Sequence, residues 1–204
     1  MNDLTSVSPP DTINQTGAKT NWTDIGLLTL MFMTVNNCYW LTLFNVTNLG
    51  GSKLVNGLIL GMAELLSGVF VGIFITHSTP SLAFQSCCVV GVLFSTINQY
   101  LLVPGTLLAY MSLFIAILGI GGTYTCIFVL IGVVVPQKSA GKATVLIVTI
   151  GTCASLLAPL VALADAPVPF IVIASLMFFS MVTSYSLDYL RRIRTGPKMT
   201  SSRP

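Results

Sequence analysis

Charge is what this sequence has least of. Lys, Arg, Asp and Glu together make up 7% of its 204 residues, against a hydrophobic share of 54%. A soluble domain carries roughly 25% charged residues. So few charges cannot cover a water-facing surface, so the solvent that fits this chain is lipid. Histidine is nearly missing as well, with His77 the only one. The five cysteines, Cys38, Cys87, Cys88, Cys126 and Cys153, lie inside apolar runs and in no spacing with histidine. That argues against a metal site or a disulfide framework and for small side chains facing core or lipid. No cofactor and no catalytic residue are expected, because nothing pairs a nucleophile with a base or gathers ligands. There is no basic–aromatic motif for nucleic acid. The start, MNDLTSVSPP, has neither a basic stretch nor a short apolar one, so it does not read as a signal peptide.

What is present is six long apolar runs. They fall at about Ile25–Val46, Leu54–Thr76, Leu82–Leu102, Leu107–Val135, Ala143–Leu163 and Val168–Leu190. Each is near the roughly 20 residues a helix needs to cross the hydrocarbon. None alternates as a barrel strand would, and the connectors carry turn chemistry. The expected fold is all-α: a polytopic membrane protein of six transmembrane helices. Three regions follow: a flexible polar N-terminal tail over 1–23, a six-helix domain over 24–190, and a basic C-terminal tail over 191–204.

Six spans place both ends of the chain on one side. Of the nine basic residues, Lys19, Lys138, Lys142, Arg191, Arg192, Arg194, Lys198 and Arg203 fall on that side and only Lys53 on the other. This bias predicts that both termini are cytoplasmic. Two glycosylation sequons, Asn14-Gln-Thr16 and Asn21-Trp-Thr23, point the other way. Such sequons arise easily in a polar tail, so the charge count decides. Arg191, Arg192 and Arg194 read as a stop-transfer anchor, with anionic lipid as a second reading. Plasma membrane and internal membranes are equally open.

Glu64 is the one acidic residue deep inside a span. A carboxylate at that depth costs about 2.5 kcal/mol or more on insertion scales, and such residues usually face a partner helix or a cavity. Gly57, Gly61, Gly68 and Gly72 share its helix face, which reads as a packing face. Glu64 is then protonated, hydrogen-bonded to a polar partner, or facing a cation. The first span carries Thr34, Asn36, Asn37, Tyr39 and Trp40 near its middle, which suit a cavity wall or an interhelical network. The third carries Gln85, Cys88, Ser95 and Gln99 on one face. The fourth contains Gly119-Ile-Gly-Gly-Thr-Tyr-Thr125, where the helix can bend or pack tightly. The fifth turns Thr144, Gly151, Ser155, Ala158 and Ala162 to one side and ends near Pro159.

Several of these residues together resemble the C-terminal half of a major facilitator superfamily transporter, nearest the organic cation and anion transporter branch. Tyr39 is followed by Gly50-Gly51-Ser52, then Asn56 and Ala63-Glu64-Leu65. This is similar to the family's aromatic pair, glycine turn, polar residue and Val-Glu-Pro-like segment. Pro136 falls where the family has a Glu-Leu-Tyr-Pro turn, and Leu156-Leu157-Ala158-Pro159 looks like its Ile-Ile-Ala-Pro segment. The resemblance covers about residues 25–190. It implies half of a two-half bundle, with a small organic solute bound near the bilayer midplane between the halves.

The chain departs from that pattern in its charges. His77-Ser-Thr-Pro-Ser81 holds no Arg, Lys, Asp or Glu where the family has a charged motif, and Val133 replaces a Glu. Thr152 stands seven residues before the proline, where cation- and anion-selecting members carry a charge. The substrate-cavity candidates are therefore Asn36, Asn37, Tyr39, Trp40, Glu64, Gln99 and Thr152. One six-helix unit has nothing to rock against, which leaves three situations: a truncated product, a separate second half, or a homodimer. The lost charges also suit a degenerate half-carrier that serves as an assembly subunit and transports nothing.

Overall fold

A computed structural model describes residues 21–46, 52–100, 106–164 and 168–195. Seven helices account for nearly all of them: α1 (Trp22–Val46), α2 (Lys53–His77), α3 (Pro80–Tyr100), α4 (Leu107–Val134), α5 (Gln137–Ser155), α6 (Ala158–Ala162) and α7 (Val168–Thr195). Six stretches are long and apolar enough to cross a membrane, with α5 and α6 together forming the fifth. The expected six-span all-α membrane fold is what the chain adopts. Most of the polar tail, residues 1–20, lies outside the described residues, as do 196–204. The last helix runs on through Arg191, Arg192 and Arg194. There Arg194 meets Asp24 of α1 at 2.6 Å, tying the two ends of the bundle together.

The fifth span breaks where its proline dictates. Pro159 has no N–H, and its ring collides with the carbonyl four residues back, at Ser155. The chain tightens ahead of it: Leu156 and Leu157 donate to the carbonyls of Cys153 and Ala154, each at 3.3 Å. Helix resumes with Leu160 and Val161 both donating to Leu157. By contrast α4 is not interrupted at its glycines. It runs unbroken for 28 residues, started by Thr106, whose side chain accepts from the Ala109 amide at 3.3 Å.

The α4 glycines serve close packing instead. A Cβ on Gly119 would stand 2.7 Å from the Gly91 nitrogen and 3.0 Å from the Cys87 carbonyl of α3. Gly121 faces Ser67 of α2, and Gly122 faces Cys87. Small residues thus let α4 seat against both neighbours. On the other side, Gly151 of α5 packs against the buried ring of Phe32 in α1.

These contacts form a swapped pattern. α4 packs on α2 and α3, α1 packs on α5 and α7, and α1 and α4 meet at the centre while α3 and α7 meet at the back. Exchanging α1, α2 and α3 for α4, the α5–α6 span and α7 reproduces the same set of neighbours. Each unit has three spans, so the two cross the membrane in opposite senses. α2 and α5 are left as the outer helices, with little of either buried.

The glycine face of α2 differs from its expected role. Gly57, Gly61, Gly68 and Gly72 are exposed, and nothing lies within 4 Å of a Cβ placed on any of them. The stripe α2 buries lies one residue over: Asn56, Ala63, Ser67 and Val71. The close approach at that contact is provided by the partner helix, through Gly121, so the glycines of α2 are free to face outward.

Candidate functional site

Glu64 sits near the middle of α2, on the side turned toward α1. α1 and α2 touch at few places, and one is a hydrogen bond: Tyr39 donates its hydroxyl to Glu64 Oε1 at 2.7 Å. The carboxyl group is therefore neither sealed in the core nor bare against lipid. It lies half-buried at the edge of an aromatic group.

That group is built by the two central helices. The Tyr39 ring lies 5.5 Å from Tyr124 of α4 and 5.8 Å from Trp40. Tyr124 meets Phe128 at 5.4 Å, and Trp40 stacks on Phe44 at 6.1 Å. Phe32, fully buried, anchors the group from below, 5.8 Å from Tyr124 and 5.7 Å from Phe128. The rim is open, with Trp40 37% and Phe128 39% exposed. The open stripe of α1 runs through Met33, Asn37, Trp40 and Phe44 at helical spacing. The result is an aromatic face with one carboxylate, lying between α2 and α5.

The pairing of Tyr39 with Tyr124 follows from the swapped arrangement. Each stands 17 residues beyond the first residue of its helix. Matched helices that cross at the centre bring matched positions together.

Three of the candidates meet here: Tyr39, Trp40 and Glu64. Asn37 shares the open stripe, but its amide donates to Met33 of its own helix at 2.8 Å. Asn36 is buried and donates across to the Gly151 carbonyl of α5 at 3.3 Å, which makes it a tie between helices. Thr34 likewise bonds back to Met31 at 2.8 Å, so the expected network of the first span is mostly local. Thr152 is exposed on α5 and makes none of the contacts that join the aromatic group. Gln99 lies in the last turn of α3, away from the central helices' open face, and its side chain is outside the described residues. The polar stripe of α3 meets α7 through Gln85, which donates to the Ser184 hydroxyl at 3.5 Å, and one turn earlier Ser81 donates to Asp188 at 2.7 Å.

Sequence reasoning missed Tyr124 and Phe128. They stand four residues apart, so they share a helix face. That spacing is readable in the sequence, but the glycines just before them read first as a packing feature.

No group of three or more His, Cys, Asp or Glu able to hold a metal occurs among the described residues. An interior cavity of about 10 Å³ lies between Thr42, Asn45, Ser95 and Asn98, room for about one water.

Fold and site together define a six-span helical membrane protein with a single carboxylate set among aromatic rings. No protein-family model matches the chain, and no curated protein is significantly similar to it.

Proposed function

We propose that this chain transports a small organic solute across a membrane, as part of a secondary carrier of the major facilitator type. The observation that carries this reading is Glu64, held by Tyr39 at the edge of an open aromatic face on the two central helices. An ionisable residue at such a depth, facing a cavity or groove, marks a solute or ion path in many membrane proteins. The inverted three-span units support the same reading, since each six-helix half of a carrier of this type is built from such repeats.

The chemistry of the face selects the solute. Aromatic rings attract a cation through their electron-rich faces, most strongly where water is excluded. Glu64 adds the opposite charge. The solute is therefore an organic cation of modest size. A second six-helix unit, from another chain or a second copy, covers the face and completes the path. The placement of the basic residues supports cytoplasmic termini. The uncharged connector after α2 favours a second reading, a non-transporting assembly subunit derived from a carrier.

The test uses the chain purified into lipid nanodiscs with radiolabelled tetraethylammonium. Saturable binding is expected, competed by other quaternary ammonium ions and not by benzoate. A face with no saturable cation binding would leave the subunit reading in possession.

A further inference from the structure

On the far side of α2, away from the aromatic face, a second feature stands apart from the solute site. α2 and α3 are joined by the two residues Ser78 and Thr79, yet they touch at few points. Between them lies a cavity of about 330 Å³. Phe70 and Phe74 of α2 form one wall, Cys87 and Val90 of α3 the other, and Leu118 of α4 the floor, with His77 at the connector end.

The walls are apolar, and a void of this kind does not suit water. Apolar surface of this kind is covered more favourably by an apolar guest than by water. The mouth opens sideways between two membrane spans, where Phe70 and Phe74 are exposed.

Depth narrows the choice further. His77 stands at the last turn of α2, level with the connector, and Phe70 lies seven residues deeper. At 1.5 Å per residue that is about 10 Å, most of one leaflet in a hydrocarbon core of about 30 Å. The cleft is closed at its inner end, where Gly119 brings α4 against Gly91 of α3.

We infer that this cleft holds one acyl chain of a phospholipid, drawn from the leaflet on the His77 side, with the headgroup beside His77. The bound chain packs on the back of the helix that carries Glu64. This inference rests on the spans and the cleft alone and stands whether or not the chain carries a solute.

The test is native mass spectrometry of the protein extracted from phosphatidylcholine bilayers. One retained phosphatidylcholine per chain is expected. Val90→Phe, which fills the cleft, loses it, and Val182→Phe, on the exposed face of α7, keeps it. A Phe74→Trp reporter, in a background with Trp22 and Trp40 changed to Phe, gives a check that does not depend on Val90→Phe folding. Its quenching by brominated-chain phosphatidylcholine should follow a single lipid site. Retention that ignores Val90→Phe, quenching that needs several sites, or a lipid-free dimer would each overturn the assignment.

Discussion

Glu64→Gln should weaken binding of a quaternary ammonium ion by about 10- to 100-fold and leave the bundle folded. Gln keeps the shape of Glu and still offers an oxygen to the Tyr39 hydroxyl, which lies 2.7 Å from the carboxylate. What it removes is the charge. Interactions with a charged group contribute about 1.5–3 kcal/mol, and each 1.4 kcal/mol is about tenfold in affinity. The aromatic contribution from Tyr39, Trp40 and Tyr124 survives the change, so binding is weakened and not abolished. A dissociation constant for tetraethylammonium in nanodiscs reads this directly. An unchanged constant, with the variant eluting as the parent does, would remove Glu64 from the site.

The second large effect concerns the scaffold. Gly119→Ala should destabilise the protein by about 1–3 kcal/mol, the usual range for overpacking. The atoms the new methyl group meets are backbone: the Gly91 nitrogen at 2.7 Å, the Cys87 carbonyl at 3.0 Å and the Gly91 Cα at 3.1 Å. Backbone held in two long helices cannot step aside as a side-chain tip can. At about 2–4 °C per kcal/mol for a chain of this size, the melting temperature should fall by several degrees. Gly61→Ala is the matched control, because nothing lies within 4 Å of its Cβ. It should stay within about 0.5 kcal/mol of the parent. Thermal denaturation followed by size-exclusion chromatography separates the two outcomes. Equal losses would mean that the α3–α4 crossing is looser than described.

These two glycines show what sequence can and cannot fix. Both occur in helical patterns of small residues, and both patterns read as packing faces. Periodicity identifies a face of a helix, but not what lies opposite it. On α4 the partner was there, and Gly119, Gly121 and Gly122 seat against α3 and α2. On α2 the buried stripe lies one residue away, so Gly57, Gly61, Gly68 and Gly72 look outward.

The same limit applies at the site. Tyr39 and Glu64 were each legible, because a tyrosine and a carboxylate inside spans have few other uses. Their bond depends on how α1 passes α2, which no spacing along one helix encodes. Asn36 and Asn37 are neighbours in sequence with the same side chain. One reaches α5 and the other bonds back to its own turn. The difference is the 100° between successive residues on a helix, and burial decides it. The number and order of the spans were legible, since length and hydropathy are what a bilayer demands, but not every bound: the fifth begins at Gln137 and the last runs on to Thr195, where polar and basic residues continue the helix beyond the apolar run. The break at Leu156–Leu157 follows from Pro159 once the span is known to run past it.

If solute passes along the aromatic face between α2 and α5, that face meets water and is not lipid-covered. The direct measurement is the reactivity of introduced cysteines with a membrane-impermeant thiosulfonate in intact membranes, in a Cys87→Ser, Cys153→Ser background that keeps only the buried Cys38, Cys88 and Cys126. Phe44→Cys and Phe128→Cys test the face, and Val69→Cys on α2 and Leu93→Cys on α3 test surfaces turned away from the bundle. Fast labelling is expected at Phe44→Cys and Phe128→Cys, slowed by tetraethylammonium, with Val69→Cys and Leu93→Cys silent. Labelling at none of the four would place lipid over the face and contradict it.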